Sequence, residues 1–266
     1  MNRLLVIKFG GSSVCEPENF ITIADIIVQR KELYSQIVVV VSAMGDTTDN
    51  LLSLAKKVHP NPPTREQDML VSVGERISIS LLAMALSLKN IKAISFTGSQ
   101  SGIITCDNHS NAKIIDVKPH RIEEYLNKGY VVIVAGFQGV SRNKEITTLG
   151  RGGSDTSAVA LAVALGSKKV EFYKDVEGIF DKDPHQHKEA QLFKRLTFEQ
   201  ALDVVERNSQ VLHPRCVQLA MRNNISLQIL SFKTQELSKD ISDLGTIISS
   251  FGVREDKKHF YEQEVI

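Results

Sequence analysis

The sequence predicts an α/β fold with a mostly parallel sheet that is covered by helices on both faces. Apolar runs of strand length alternate with amphipathic stretches along nearly the whole chain, a pattern typical of strand–helix–strand units. The run Ile37–Val41 is apolar at every position, which is expected of a strand buried on both faces. The sheet therefore needs a layer of helices above it and another below it.

The individual elements follow from apolar, often β-branched runs for the strands and from apolar residues at three- and four-residue spacing for the helices. In chain order, strands are expected at Leu4–Phe9, Ile37–Val41, Ala93–Thr97, Tyr130–Ala135, Lys169–Lys174, Ser226–Leu230 and Gly245–Ile248, with Glu145–Thr148 as a short hairpin strand. Helices are expected at Pro17–Leu33, Asn50–Val58, Arg65–Ser87, Pro119–Asn127, Asp155–Leu165, Phe198–Glu206 and Pro214–Asn223.

Composition and charge indicate a folded domain with a small-molecule partner. The 266 residues, of which 42% are hydrophobic and 24% are charged, suffice for one large domain or two small ones. Lys and Arg number 32 against 31 Asp and Glu, so the formal net charge is only +1. A surface for nucleic acid would show a basic excess. We therefore expect no nucleic-acid partner.

Nothing in the sequence predicts export or a membrane partner. The longest apolar runs, Ile37–Val41 and Tyr130–Phe137, are far shorter than the roughly 20 residues that cross a bilayer. The N-terminal residues lack a long apolar segment before a cleavage site. The three cysteines, Cys15, Cys106 and Cys216, are odd in number and widely spaced, which favours reduced thiols. A cytoplasmic location is expected.

A glycine pair follows the first predicted strand, in the segment Lys8-Phe9-Gly10-Gly11-Ser12-Ser13. Ligands of open parallel sheets bind outside the carboxyl ends of the strands. Two glycines let backbone N–H groups approach an anion, and Lys8 adds a positive charge. A tight turn without a ligand is the alternative for this motif alone. The segment is neither a Walker A loop nor a Gly-x-Gly-x-x-Gly motif.

A second glycine-rich loop, Leu149–Thr156, leads directly into a predicted helix. The free N–H groups and the dipole of a helix N-terminus favour phosphate, and the planar fork of Arg151 suits a carboxylate or a phosphate. The alternatives are a simple N-cap at Ser154 or Asp155 and a solvated Arg151. Two anion loops suit phosphoryl transfer, where catalysis is mainly positioning and charge stabilisation by cations and Mg²⁺. A kinase is the leading prediction.

Several blocks, in family order, resemble the signature blocks of aspartate kinases within the amino acid kinase superfamily. The blocks are Lys8–Val14, Val41–Met44, Val73–Arg76, Leu149–Asp155, Lys174–Phe180, Asp183–Pro184, Val211–Pro214 and Leu244–Ile248. The resemblance implies a three-layer αβα sandwich, with one kinase domain over residues 1–250 that binds the amino acid mainly through its N-terminal part and ATP through its C-terminal part. Many aspartate kinases continue with a pair of ACT domains. Residues 251–266 would be a short tail, too short for such a domain, so we expect no ACT domains.

The implied reaction transfers the γ-phosphoryl group of ATP to the side-chain carboxylate of L-aspartate, giving 4-phospho-L-aspartate, the first step of aspartate-family amino acid biosynthesis. Lys8 and Asp155 are the implied catalytic residues. The implied aspartate-binding residues are Ser42, Thr47, Glu75, Arg151, Gly152, Gly153 and Ser154. The implied nucleotide-binding residues are Lys8, Phe9, Gly10, Gly11, Lys174, Asp175, Phe180, Gln210 and Val211. No residue is implied as a direct metal ligand, because Mg²⁺ would be held by the ATP phosphates. Dimers are common in the superfamily, so a homodimer is possible.

The chemistry of aspartate agrees with these roles. Its two carboxylates and its ammonium need a cationic fork, hydroxyl or backbone donors and one carboxylate, and Arg151, Ser42 with Thr47, and Glu75 supply that set. A carboxylate acceptor is already nucleophilic at pH 7, so no general base is required. Two alternatives stay open: a kinase for glutamate or N-acetylglutamate, and a non-catalytic amino-acid-binding regulatory protein on the same fold.

Five positions depart from the family pattern, and three of them are Ser12, Phe180 and His185, where Thr, Tyr and Arg are commoner. The other two affect the expected position of a cation at the nucleotide. Lys174 stands where many relatives have Thr, and Gln210 stands where many have Lys. We expect that a cation has moved from one side of the nucleotide to the other.

Overall fold

A twisted sheet of eight strands carries the fold, and the computed structural model describes residues 4–184, 186–207, 211–233, 241, 244–250 and 261–262. The strands are β1 (Leu4–Phe9), β2 (Gln36–Val41), β3 (Ala93–Phe96), β4 (Ile103–Thr105), β5 (Ile114–Val117), β6 (Val131–Ala135), β7 (Gln138–Ser141), β8 (Ile146–Thr148), β9 (Lys169–Lys174), β10 (Arg195–Leu196), β11 (Ser226–Ser231) and β12 (Thr246–Ile248). The α-helices are α1 (Asn19–Lys31), α2 (Thr47–Val58), α3 (Thr64–Val71), α4 (Val73–Leu88), α5 (His120–Asn127), α6 (Gly153–Leu165), α7 (Phe198–Arg207) and α8 (Pro214–Arg222).

The main sheet has the strand order β10-β12-β11-β9-β1-β2-β6-β3. Its neighbouring strands run parallel except for the pair β11 and β12, so the predicted, mostly parallel sheet is confirmed. After β1 the chain builds one half of the sheet through β2, β3 and β6, and it then builds the other half from β9 onward. The order reverses between β1 and β9, which is where an open α/β sheet forms its ligand crevice.

Helices cover both faces of this sheet, as predicted. Along β1, Leu5, Ile7 and Phe9 pack with α1 and α4 into one apolar core. Val6 points to the opposite face and packs into a second core with α5, α6, α7 and α8. Alternate residues of a strand point to opposite faces, so a strand that is apolar throughout joins two cores. The result is a three-layer αβα sandwich.

A second, smaller sheet was only partly predicted. It has four strands in the order β5-β4-β7-β8, of which only β8 was expected, as a hairpin strand. β7 and β8 form that hairpin, and Lys144 in its turn has a φ of +65°. Strands of three or four residues are too short to show a reliable period. The sheet matters for the site because β8 ends at Thr148, immediately before the second glycine-rich loop.

The single helix expected at Arg65–Ser87 is divided at Ser72 into α3 and α4. The Ser72 hydroxyl donates to the Met69 carbonyl at 3.1 Å, and the Ser72 carbonyl accepts from Nε2 of Gln138 at 2.9 Å. The Gln138 side chain on β7 thus provides a hydrogen bond to the Ser72 carbonyl between the two helices. The break also places Glu75 in the first turn of α4. The 25-residue stretch Thr64–Leu88 is long and apolar enough to span a membrane, but half of its most apolar window is buried inside the fold. Core helices of soluble proteins show the same property.

Part of the expected tail contacts the domain. Glu262 accepts hydrogen bonds from the Arg215 guanidinium on α8 and from the backbone N–H of Ile114 on β5. Residues 251–260 and 263–266 lie outside the part of the chain that the structure describes. The boundary expected near residue 250 stays a prediction.

Candidate active site

The carboxyl end of β1 meets the carboxyl end of β2 through their loops. The Ser42 N–H donates to the Phe9 carbonyl, and the Gly45 N–H donates to the Gly11 carbonyl, both at 3.2 Å. A Cβ atom at Gly11 would lie 3.2 Å from the Ala43 carbonyl oxygen. A residue with a side chain would therefore push the two loops apart. The first glycine motif thus lets the loops after β1 and β2 pack closely; its approach to an anion stays a prediction.

A buried cluster of two lysines and one aspartate lies where β1, β9 and α6 meet. Lys8 and Asp155 are 4% and 6% exposed, and Nζ of Lys8 contacts Oδ1 of Asp155. Nζ of Lys174, at the end of β9, lies 3.3 Å from Oδ2 of the same carboxylate. Two cations around one anion leave a net positive charge in a buried site. Such a site attracts an anion.

Burial and charge shift the pKa values of this cluster in opposite directions. Burial lowers the pKa of Lys8 to about 8, although the negative charge of Asp155 opposes the shift. Burial alone would raise the pKa of Asp155, but the positive charges of Lys174 and Lys8 outweigh it and hold that pKa below its ordinary value. Asp155 is therefore ionised at neutral pH, and Lys8 is mainly an ammonium group there.

The second glycine-rich loop needs two left-handed residues to enter α6. Gly150 and Gly152 both have a φ of +72°, a conformation that costs glycine little and other residues much. A Cβ atom at Gly152 would also lie 2.2 Å from Cβ of His213. The loop therefore requires glycine for its backbone and for its packing. It turns the N-terminus of α6, with Ser154 and Asp155 in the first turn, toward the lysine cluster.

A cavity of about 260 Å³ lies beside the cluster, at the end of this loop. The predicted residues that line it are Lys8, Gly11, Ser42, Glu75, Arg151, Gly152, Gly153, Ser154 and Asp155. These residues are scattered over 148 positions of the sequence, and the fold brings them to one place. Of the residues predicted to bind aspartate, Thr47 does not line this cavity. Its neighbour Thr48 does, and the Thr47 methyl group lies near Gly74 instead.

Glu75 gives this cavity a buried negative group. The side chain is 2% exposed, and burial raises its pKa to about 7. Its Oε1 accepts a hydrogen bond from the Ala43 N–H at 3.2 Å. Its Oε2 has no partner in hydrogen-bond geometry within the described residues, although the Gln138 side chain lies close enough to lower the pKa of the carboxyl. Buried polar atoms normally have partners. An oxygen left over in a cavity wall is suited to a cationic ligand group.

Arg151 provides the opposite charge at the same cavity. Its side chain is exposed, and it forms no hydrogen bond or ion pair with the residues that the structure describes. The planar guanidinium can therefore meet the two oxygens of a carboxylate. With Glu75 and Arg151 in its lining, the cavity can hold a small zwitterion that carries at least one carboxylate.

A second cavity of about 280 Å³ includes Lys174 in its lining. Four of the predicted nucleotide-binding residues line it, namely Lys174, Asp175, Phe180 and Val211. Phe9 does not line it, because its buried ring stacks on Tyr173 with centroids 5.0 Å apart. A Cβ atom at Gly10 would lie 3.6 Å from Nζ of Lys8 and 3.8 Å from Cδ of Lys174, so Gly10 keeps open the space above the two lysines. Gln210 lies outside the described residues.

Several lining residues were missed by sequence analysis. In the first cavity these are Ala43, Gly45, Thr48, Phe137 and Gly150, and in the second they include Ser12, Val176, Ile179, Lys182 and Val205. Phe137 follows the carboxyl end of β6 and has a φ of +67°, unusual for a residue with a side chain. The rule that ligands bind at the carboxyl ends of parallel strands could have located it.

Comparison with known proteins identifies the family of this chain. Residues 3–231 match the model of the amino acid kinase family. The aspartokinase of Mycobacterium tuberculosis is 53% identical over 229 residues, which are 86% of this chain and 54% of that protein. The chain thus spans about half the length of the curated relatives it matches.

Two solved structures share the fold. The aspartate kinase from Synechocystis superposes with a TM-score of 0.82 at 43% identity, covering 95% of this chain and 40% of that one. E. coli aspartokinase III in complex with aspartate and ADP superposes with a TM-score of 0.81 at 25% identity, covering 93% of this chain and 64% of that one. By its sequence match over residues 3–231 and by its αβα architecture, this chain belongs to the amino acid kinase family.

Proposed function

We propose that this chain catalyses the ATP-dependent phosphorylation of the side-chain carboxylate of L-aspartate. The observation that carries the proposal is the first cavity, which places the unpartnered oxygen of Glu75 and the guanidinium of Arg151 beside the Lys8–Asp155 pair. The likeness to E. coli aspartokinase III in complex with aspartate and ADP supports it. The 53% identity to a mycobacterial aspartokinase supports it further.

In this proposal the first cavity binds aspartate by its three charged groups. The ammonium group of aspartate would donate a hydrogen bond to the unpartnered Oε2 of Glu75. Arg151 binds the α-carboxylate through its planar fork. The side-chain carboxylate then points toward Lys8. The hydroxyl of Ser42 and the backbone of Gly152, Gly153 and Ser154 complete the site. Thr47 does not line the cavity, so its predicted role would be indirect, at the start of α2 beside Thr48.

The second cavity would bind ATP. Phe180 and Val211 give it apolar walls for the base, and Lys174, which lines the same cavity, would bind the phosphates. Gly10 and Gly11 leave room for the phosphate chain above the lysines. In this proposal the amino-acid site draws equally on residues 8–75 and on residues 137–155, whereas the nucleotide site draws mainly on residues 174–211. Gln210 stays a sequence-based prediction.

The proposed transfer needs no general base. A side-chain oxygen of aspartate, ionised at neutral pH, forms a bond with the γ-phosphorus. The bond between that phosphorus and the β–γ bridging oxygen breaks, and its electron pair leaves with ADP. Negative charge moves during this step onto the transferred group and the bridging oxygen. The ammonium group of Lys8 would stabilise that charge, Lys174 would bind the nucleotide phosphates, and Asp155 holds both ammonium groups in place.

The oxygen donors near the phosphates suit Mg²⁺, which prefers carboxylate, water and phosphate oxygens. Both oxygens of Asp155 already face lysines, so the nucleotide phosphates would hold the ion and the exposed carboxylate of Asp175 would contact its water shell. When bound, Mg²⁺ supplies further charge neutralisation at the phosphate oxygens.

An acceptor panel tests the proposal. The chain is incubated with ATP and Mg²⁺ and with aspartate, glutamate, N-acetylglutamate or no acceptor, and ADP release is measured. We expect release that depends on aspartate. Turnover with another acceptor and none with aspartate would refute the substrate, and no turnover with any of them would refute the enzymatic function. A cytoplasmic location and a homodimer stay predictions.

A further inference from the structure

We propose that Asp68, which touches neither cavity, is a positioning residue for the amino-acid site. Its carboxylate would hold the end of β8 and so fix the glycine-rich loop that presents Arg151. The proposal rests on the function proposed above, because it assigns Asp68 a role in aspartate binding.

Asp68 on α3 is a fully buried carboxylate, 0% exposed, that accepts hydrogen bonds from two other segments. The hydroxyl of Thr148, the last residue of β8, donates to Oδ1 at 2.5 Å. The backbone N–H of Ser110 lies 3.1 Å from both carboxylate oxygens, and Nδ1 of His109 lies 2.7 Å from Oδ2. One side chain therefore ties α3, β8 and the 109–112 segment together.

The 109–112 segment is itself packed against the loop. The Ala112 N–H donates to the Thr148 carbonyl at 2.9 Å. A Cβ atom at Gly150 would lie 3.0 Å from the Ser110 carbonyl oxygen. Ser110 also has a φ of +66°, an uncommon conformation that persists when its surroundings enforce it. The hydrogen bonds that Ser110 and Thr148 donate to Asp68 thus fix the segment against which Gly150 packs and the strand end that precedes the loop.

Arg151 follows Gly150 directly, and no described residue holds the guanidinium itself by a hydrogen bond or an ion pair. The position of this side chain therefore depends on the backbone that precedes it. A buried carboxylate costs stability relative to an apolar residue unless its hydrogen bonds are complete. Asp68 meets that condition with donors from two segments beside the loop, an arrangement suited to positioning.

Two adjacent threonines of β8 provide a matched test. Thr147 and Thr148 are both buried, and each hydroxyl forms one hydrogen bond, Thr148 to Asp68 and Thr147 to the hydroxyl of Thr105 at 2.6 Å. Replacing either residue by Val removes one buried hydrogen bond and keeps the shape of the side chain. We expect Thr148→Val to raise the KM for aspartate about five- to tenfold, the size of one hydrogen bond, with the KM for ATP unchanged. Thr147→Val should lower Tm about as much as Thr148→Val does, because each variant loses one buried hydrogen bond. It should leave the KM for aspartate and the KM for ATP unchanged.

Hydrogen–deuterium exchange of peptides that cover residues 149–153 gives a readout that does not depend on activity. We expect faster exchange there in Thr148→Val than in Thr147→Val. Equal exchange in the two variants would overturn the positioning role, whatever the acceptor of the enzyme. Faster exchange in Thr148→Val, together with no turnover of aspartate by the unmodified chain, would support the positioning role and refute the proposed function.

The conservative variant of Asp68 completes the test. In Asp68→Asn the amide oxygen can still accept from Thr148 and Ser110, and the amide nitrogen can donate to His109 in its other tautomer. We expect Asp68→Asn to keep an aspartate KM within about threefold of the unmodified chain, whereas Thr148→Val does not. An aspartate KM that is unchanged in Thr148→Val, or raised equally by both threonine variants, would overturn the proposal.

Discussion

Nζ of Lys8 contacts the carboxylate of Asp155, and both side chains are buried where β1 meets the N-terminus of α6. The pair joins the two glycine-rich loops that are separated by about half of the sequence. Lys174 approaches the other oxygen of that carboxylate from β9. The proposed chemistry therefore depends on a single anion that orients two cations.

The two lysines should fail in different ways when their charge is removed. Lys8→Met should lower kcat by about a thousandfold or more, because Lys8 would act on the transferred group, a step where electrostatic stabilisation dominates. Lys174→Met should mainly raise the KM for ATP, because Lys174 lines the nucleotide cavity. Steady-state kinetics with both substrates separates these effects, with circular dichroism as the control for folding. Equal changes in kcat and in both KM values for the two variants would contradict the assignment.

The pH dependence of the reaction should report the Lys8 ammonium. Its pKa is lowered to about 8 by burial, and the proposed role needs the protonated form. We expect kcat/KM to fall as pH rises through about 8. Lys8→Arg keeps the charge at all these pH values, so any remaining activity of this variant should show no decline there. A decline that persists in Lys8→Arg would assign the titration to another group.

The buried Glu75 carboxylate, once ionised, should lower the free energy of unfolding of the chain. Burial raises its pKa to about 7, above the ordinary value near 4.5. The folded state therefore binds more protons than the unfolded state between these two values, and the free energy of unfolding decreases as pH rises from about 4.5 to 7. Glu75→Gln should remove this dependence, raise stability at pH 8 by about 1–3 kcal/mol and raise the KM for aspartate tenfold or more.

Thermal unfolding at pH 5 and pH 8 measures the Glu75 effect, and the exposed Glu16 provides the control. Glu16→Gln should change neither the pH dependence nor the KM. If Glu75→Gln is less stable than the unmodified chain at pH 8, the carboxylate makes a net favourable contribution and this account of Glu75 is wrong.

A buried ion pair between α1 and β9 should stabilise the strand that carries Lys174. Nε of Arg30 lies 3.0 Å from Oε2 of Glu171, which also accepts from the Tyr173 hydroxyl at 3.1 Å. Glu171→Leu would leave a buried guanidinium unpaired and should cost about 3–5 kcal/mol in urea unfolding. The double variant Arg30→Met/Glu171→Leu removes both charges and should be more stable than Glu171→Leu alone. A double variant of equal or lower stability would contradict this explanation.

Local features of the sequence predicted the sheet and both glycine-rich loops. A long apolar run such as Ile37–Val41 predicts a buried strand from its own residues. The glycines at 150 and 152 are adjacent in sequence to Arg151, which their turn positions. The break at Ser72 was not predictable, because it depends on Gln138, 66 positions away. Asp68 was missed for the same reason, because its role arises from tertiary contacts and not from a motif. Phe137 could have been located from its place just after the carboxyl end of β6.

The most direct test of the proposed reaction is to trap its product. An acyl phosphate reacts with hydroxylamine, so the chain is incubated with ATP, Mg²⁺, aspartate and hydroxylamine, and the hydroxamate is identified by mass spectrometry, with Lys8→Met in parallel. We predict aspartate β-hydroxamate in amounts equal to the ADP released, and none from Lys8→Met. ADP release without hydroxamate, or equal hydroxamate from both proteins, would contradict phosphorylation of the aspartate side chain at the Lys8 site.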